Sequence, residues 1–262
     1  MVDVGATHAT IYKSVQMDYT KTHSTPRIRL KPHEYEAVLE MRGKNGKAVL
    51  AIGDLHEPFC LDEYLDFNIE LANKYNITDV VFMGDVIDNH YSSYHETDPD
   101  GMGAGNELEL AQERIERWHK AFPEATVIIG NHDRMIMRKA FTGGIPRAWI
   151  RDYKEVLNTP KWEFVEHKTI DDVLYVHGDG GGKAIARARK NMQTTVCGHW
   201  HTEAYTQYVV GARFKVFGMQ VGCGIDKDSY AMAYAKHYGK PAIGSGVILE
   251  DGTLPINVMM DL

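Results

Sequence analysis

Five short segments of this chain place Asp, Asn and His beside a glycine. They read Gly53-Asp54-Leu55-His56, Gly84-Asp85-Val86-Ile87-Asp88, Gly130-Asn131-His132-Asp133, His177-Gly178-Asp179 and Gly198-His199-Trp200-His201. Carboxylate, amide oxygen and imidazole are donors that suit divalent cations. Asp54 and His56 lie two apart, so on an extended loop both side chains point the same way and can reach one ion. The two oxygens of Asp85 can bridge two cations. Asn131 offers a neutral oxygen, His177 and His199 offer imidazoles, and His201 can return to the first ion. One such residue alone is ordinarily a loop cap or a surface group. Five segments together describe a metal centre, best satisfied by two ions. The glycine before Asp54, Asp85, Asn131 and His199 permits a tight turn and close backbone approach.

The elements that must position these donors are legible beside them. Each segment follows a strand-like run: AVLAI, DVVFM, TVII, DVLYV and TTVC. Parallel strands end at one edge, so residues just past those ends converge in space. Between the runs, helices are expected near 61–75, over 106–121, near 134–141 and over 183–192. In the second of these, Leu108, Ala111, Ile115 and Trp118 recur at helical spacing. The region 162–176 reads as two strands joined at Lys168-Thr169. Strands at 203–210 and 213–221, then at 246–250 and 254–260, end the chain, the last pair separated by the hairpin signal Asp251-Gly252. Strand–helix alternation followed by β structure predicts an α/β fold, a four-layer α-β-β-α sandwich with two central mixed sheets. Residues 1–46 read as an N-terminal appendage, a polar tail plus a short helix opening at Lys31-Pro32-His33-Glu34. Residues 47–262 read as the catalytic domain.

The chain has 262 residues, 44% hydrophobic and 25% charged, as in ordinary soluble globular proteins. Its net charge of −7 argues against a general nucleic-acid-coating surface but leaves a local basic groove open. The three cysteines, Cys60, Cys197 and Cys223, have no paired spacing and suit a reducing compartment. No apolar stretch approaches the ~20 residues that span a bilayer. The first residues lack the pattern of a secretory leader. The expectation is a cytoplasmic protein without a membrane partner.

The five segments, in order, resemble the calcineurin-like metallophosphoesterase pattern GDxH, GDxxD, GNH[DE], a downstream His, and GHxH. The resemblance covers roughly residues 48–225. It implies a metallo-dependent phosphatase-like fold, with Asp54, His56, Asp85 and His201 holding one divalent ion. Asp85, Asn131, His177 and His199 would hold the other. It also implies His132 over the substrate as proton donor or charge stabiliser, Asp133 orienting His132 by accepting its hydrogen bond, and Asp88 as a supporting carboxylate. Two such ions leave a shared water as hydroxide at neutral pH and clamp the phosphoryl oxygens. The donor set admits Mn, Fe, Zn or Ni, with Mn favoured.

The chain also departs from the pattern. Many members continue the second motif as GDxxDRG, whose Arg grips phosphate. Here Asn89 and His90 stand in those places, which disfavours a protein phosphatase and favours phosphodiester substrates, nucleotide or nucleic acid. A phosphomonoesterase is the alternative, and an inert metal-binding scaffold the remote one. The stretch from Gly84 to Gly101 resembles a branch of the family common in phage and prophage genomes. Asn89 and His90 are candidates for substrate contact, and Tyr91, Tyr94 and His95 for stacking. Basic residues follow two motifs: Arg134, Arg138, Lys139, Arg147 and Arg151, then Lys183, Arg187, Arg189 and Lys190. Of these, Arg134, Lys183 and Arg187 are the nearest candidates to touch substrate. The turn Gly180-Gly181-Gly182 before a helix could present amides to an anion.

Overall fold

The computed structural model describes residues 47–93, 101–229 and 239–261. The expected 1–46 appendage lies outside them, as do Tyr94 and His95.

The alternating sequence folds as a string of short strands and covering helices. In chain order these are β1 Val49–Ile52, α1 Glu63–Lys74, β2 Asp79–Phe82, a 3₁₀ turn His90–Ser92, α2 Ala104–Ala121 and β3 Ala125–Ile128. Then come α3 Met135–Thr142, a 3₁₀ turn Arg147–Trp149, α4 Tyr153–Val156, β4 Trp162–Val165, β5 His167–Ile170 and β6 Val173–Val176. Last are α5 Ala184–Asn191, β7 Thr195–Cys197, β8 Ala204–Gly211, β9 Phe214–Val221, β10 Gly244–Leu249 and β11 Leu254–Met259. They form a six-stranded sheet, β11-β10-β1-β2-β3-β4, and a five-stranded sheet, β5-β6-β7-β9-β8. Both are mixed. β1 to β4 run parallel, β10 lies antiparallel to β1 and β11 antiparallel to β10, while β6, β7 and β9 run parallel between antiparallel β5 and β8.

Period-two alternation along the strands decides the layers. In β1, Val49 and Ala51 face a core shared with Tyr175, Val196, Phe217 and Met219 of the second sheet. Leu50 and Ile52 face the opposite way, toward Tyr64 and Leu71 of α1 and Ile115 and Trp118 of α2. On the far side α5 lies against the second sheet through buried Ala184 and Ala188. It comes so near β9 that a Cβ on Gly218 would stand 2.4 Å from the Ile185 backbone. The expected α-β-β-α order results.

Two local expectations are corrected. The region 162–176 is three strands, not two, and Lys168-Thr169 lies within β5. The chain turns at Asp171-Asp172, whose φ values of 48° and 61° fit a tight hairpin. β4 belongs to the first sheet and β5 to the second, so this stretch crosses between them. The buried stripe of α2 is Glu107, Ala111, Ile115 and Trp118. Leu108 is only half-buried. Glu107 enters the stripe because its carboxylate accepts from the backbone N–H groups of His90 and Tyr91, at 2.6 and 3.2 Å. Buried carboxylates are kept where such donors meet them.

Trp118 is 2% exposed, packs near Phe82 and Tyr64, and donates through Nε1 to the buried Glu57 carboxylate at 2.8 Å. Trp118→Ala is expected to lower stability by about 3–5 kcal/mol. Chemical denaturation measures this, and a loss under about 1 kcal/mol would show that the pocket collapses around the gap.

Candidate functional site

The five segments meet at the strand ends, drawn from both sheets. Asp54, Asp85 and Asn131 follow β1, β2 and β3 of the first sheet, while His177 and His199 follow β6 and β7 of the second. The common edge expected from one sheet is therefore a seam between two. Three backbones are pulled into the left-handed region there: His56 at φ 54°, Asp85 at 48° and His199 at 71°. Non-glycine residues adopt this region rarely, and such outliers concentrate at functional sites. Gly84, at φ 102°, would with a Cβ meet His177 Nδ1 at 2.6 Å. A Cβ on Gly130 would stand 2.1 Å from Asp85 Oδ1. At both positions a side chain would displace the neighbouring candidate ligand.

Donor atoms of Asp54, His56, Asp85 and His201 all lie within 4.8 Å of one another, as do those of Asp85, His177 and His199. Asp85 is common to both groups. The Asn131 Oδ1 atom is 3.0 Å from His177 Nε2. The outer nitrogens of two imidazoles are tied: His177 Nδ1 is 2.8 Å from the Met83 carbonyl oxygen, and His56 Nδ1 is 2.5 Å from Asp88 Oδ1. Each tie places a ring proton on Nδ1 and aims Nε2 inward. Inside the cluster His177 Nε2 lies 3.0 Å from Asn131 Oδ1, and His56 Nε2 lies 3.2 Å from His201 Nε2. In its neutral form each of these rings offers the Nε2 lone pair to an ion held there.

The carboxylates agree. Asp54 Oδ1 and Asp85 Oδ2 are buried without a hydrogen-bond partner. Asp54 Oδ2 accepts from the His199 N–H at 2.9 Å and lies 3.0 Å from His201 Nε2. Burial, then the charge of His132, lowers the pKa of His56. Burial, then His177, lowers that of His199. Both therefore favour the neutral form that binds metal. Burial opposes protonation of His177, but the Asp85 and Asp54 charges outweigh it and raise its pKa to about 10. A divalent ion at those carboxylates would cancel this effect. Chemically and geometrically the residues fit divalent ions.

His132 lies beside this cluster, its ring 4.5 Å from that of His56. Its Nδ1 is 2.7 Å from the Asp88 carbonyl oxygen and 3.3 Å from Asp88 Oδ1. Its backbone N–H donates to Asp85 Oδ1 at 2.8 Å. Burial opposes its protonation, but the charges of Asp85 and Asp88 outweigh burial and raise its pKa to about 10.

The role expected of Asp133 is not the one it has. Its carboxylate does not reach the His132 ring. It accepts backbone N–H groups from Asp85 and Gly130 at 2.8 Å each, and from Val86 and Ile87 at 3.1 and 3.4 Å. Asp133 thus clamps the Asp85 loop to the Asn131 loop. Burial, then the Asp85 charge, pushes its pKa up to about 7. The partner of His132 is Asp88, which also holds His56. Asp88→Asn should therefore loosen both rings and weaken divalent-ion affinity by about 10–100-fold. Titration with Mn²⁺ followed by calorimetry checks this, and unchanged affinity would leave Asp88 no part in holding His56.

The other candidates separate. Asn89, at φ 53°, donates from Nδ2 to the His132 carbonyl at 3.0 Å. His90 is 4% exposed, with Nδ1 3.9 Å from Asp88 Oδ2, so it packs behind Asp88 and does not face solvent. Arg134 is bound to Asp179, Glu166 and the Ile129 carbonyl. Lys183 pairs with Glu203 and lies over the Trp200 ring, while Arg187 donates to the carbonyls of Asp179 and Gly182. All three cations hold loops in place. Sequence reasoning overlooked two positioning groups. Gln220 on β9 donates to the Cys197 carbonyl at 3.1 Å and also to that of Gly198, and Glu107 fixes the His90 turn. A lone polar residue in each buried stripe was the available signal.

A profile of calcineurin-like phosphoesterases matches residues 47–203. The chain belongs to the calcineurin-like phosphoesterase family. As such it is a metal-dependent phosphoesterase, a hydrolase whose family uses divalent metals. Solved structures similar to this phosphoesterase include an archaeal phosphodiesterase, at 13% identity and a TM-score of 0.42 over 81% of this chain and 99% of that one. Vacuolar protein sorting 29 from Cryptosporidium parvum matches at 16% and 0.42, over 78% and 85% of the two chains. A nuclease, MPE, from Pseudomonas putida matches at 13% and 0.34, over 79% and 86%. No curated protein matches. Among the described residues no helix is long and apolar enough to cross a membrane.

Proposed function

We propose that this phosphoesterase hydrolyses phosphodiesters, of a nucleotide or nucleic acid, at a centre of two divalent ions. Asp54, His56, Asp85 and His201 would hold one ion, and Asp85, Asn131, His177 and His199 the other. Mn is the favoured metal. When bound, the ions supply an activated water at neutral pH and neutralise charge on the phosphoryl oxygens. Residues 47–262 would form the catalytic domain.

The observation that carries the two-ion reading is Asp85. It is 1% exposed and shared by both donor groups, and one of its oxygens lacks a hydrogen-bond partner. The His132 N–H holds that carboxylate, and Asp133 ties the Asp85 backbone to the Asn131 loop. His132, fixed through Nδ1 by Asp88, keeps Nε2 as the ring atom able to pass a proton to the leaving oxygen. The diester preference rests on what surrounds this centre. Asn89 stands where a guanidinium would grip a dianionic monoester, and its amide is already bound to His132. Arg134, Lys183 and Arg187 are held by internal partners. A diester, with one charge fewer, needs no such grip.

The test is a panel assay of Mn²⁺-loaded protein with an aryl monoester, an aryl diester, cyclic nucleotides, single- and double-stranded DNA, RNA and a phosphopeptide. Diester hydrolysis should exceed monoester hydrolysis by at least about tenfold. A monoester preference would overturn the diester assignment, and inactivity on every substrate after full metal loading would favour an inert scaffold.

A further inference from the structure

The structure divides the basic residues that follow the Asn131 segment. Arg134 is locked to carboxylates. Arg147 and Arg151 are exposed and form no ion pair among the described residues. They lie on an arm that emerges directly after Asp133 and runs through α3 and the Arg147–Trp149 turn. From Phe141 to Trp149, nine consecutive residues are exposed. Phe141 is 86% exposed, Trp149 82% and Ile145 50%. Three large apolar side chains left in water on one short segment are unusual for a surface without a partner.

Two further observations say what covers it. From Arg134 to Lys154 the chain carries six basic residues and one acidic residue, within a protein of net charge −7. The inner side of the arm (Ile136, Met137 and Ile150) lines a cavity of about 730 Å³ that reaches Asn89 and Asp133, the residues flanking His132. Tyr91, 55% exposed, lines the same cavity. The arm is thus cationic and aromatic, and its cavity borders the residues next to His132.

We propose that this arm docks single-stranded nucleic acid, with Phe141 and Trp149 stacking on bases and Arg147 and Arg151 contacting phosphates. The proposal rests on the phosphodiesterase reading and narrows its substrate to an unpaired polynucleotide. Aromatic rings stack on bases only where the bases are unpaired, and guanidinium groups complete the recognition at the backbone. A second copy of the arm would set like charge against like charge.

The experiment measures binding apart from catalysis. A fluorescent single-stranded oligodeoxynucleotide is titrated with full-length protein in EDTA, followed by anisotropy, at several salt concentrations. Wild-type protein should bind, with affinity falling as salt rises. The double variant Phe141→Ala/Trp149→Ala should weaken binding by at least about tenfold. The double variant Arg147→Ala/Arg151→Ala should flatten the salt dependence. In the Mn²⁺-loaded enzyme, the ratio of oligonucleotide to aryl diester hydrolysis should fall by a similar factor in the aromatic variant. If wild type hydrolyses the aryl diester but does not bind the oligonucleotide, or if both double variants bind like wild type, the docking proposal fails and the diester reading stands. If wild type binds the oligonucleotide but cleaves only monoesters, the diester reading fails and the docking surface stands. Concentration-dependent dimerisation abolished by Trp149→Ala, or binding to anionic vesicles in place of the oligonucleotide, would overturn the proposal.

Discussion

His132→Ala is expected to lower turnover of a diester with an alkoxide leaving group by about 10²–10⁴-fold, the range a positioned proton donor supplies. Metal content should stay near that of wild type, because no donor group that would hold the ions is removed. The loss should be much smaller on an activated aryl diester, whose leaving oxygen departs without a proton. Geometry supports this split. The His132 ring leans on Asp88 at 2.7 and 3.3 Å, and the charges of Asp85 and Asp88 favour its protonated form against the effect of burial. Measuring kcat on both substrates, with metal content by mass spectrometry, decides the matter. Equal losses on the two substrates would remove the acid role and leave His132 as a fixed charge. Loss of metal would make it a structural residue.

Asp85→Asn should have the broadest effect of any single substitution. Only this side chain belongs to both donor groups, and it is buried with one oxygen lacking a hydrogen-bond partner. Asparagine keeps the size and the acceptor for the His132 N–H, but removes the charge both ions would share. Bound metal should drop to at most one ion per chain and turnover by at least about 10³-fold, since on the two-ion proposal both charge neutralisation and water activation would depend on that carboxylate. Folding gives a second readout. A ligand that binds only the native state stabilises it, by about 2.7 kcal/mol at a hundred times its Kd. Saturating Mn²⁺ should then raise the Tm of wild type by about 5–10 °C, given the usual sensitivity for a domain of this size. The variant should show little such shift. A full Mn²⁺-dependent shift in Asp85→Asn would mean the ions do not share this residue.

The sequence made the strands and the donor residues legible because both are local signals. Apolar runs of four or five residues ending in Gly-Asp, Gly-Asn or Gly-His announce a strand end and a tight loop, whatever the rest of the chain does. Hairpins at Asp251-Gly252 and helices with an apolar stripe are equally local. The errors arose where a residue's role depends on distant neighbours. Asp133 follows His132 in sequence, yet its carboxylate turns toward the backbone amides of Asp85, Val86 and Ile87, more than forty positions away. Glu107 carries no signal of its partners in its own segment, yet it is buried because it meets two amides of the His90 turn. Arg134, Lys183 and Arg187 are candidates for substrate contact by sequence, yet carboxylate and carbonyl partners from other segments hold them.

The sequence by itself determined the donor types, their order, and the strand ends that carry them, and so the chemistry open to this family member. Only the tertiary structure decided that the donors meet at a seam between two sheets, that Asp88 and not Asp133 serves His132, and that Arg134 is tied to carboxylates while Arg147 and Arg151 stay exposed. The physical reason is that ligand chemistry is a property of side chains. Partnership, charge state and exposure are properties of what the fold brings within about 3 Å of them.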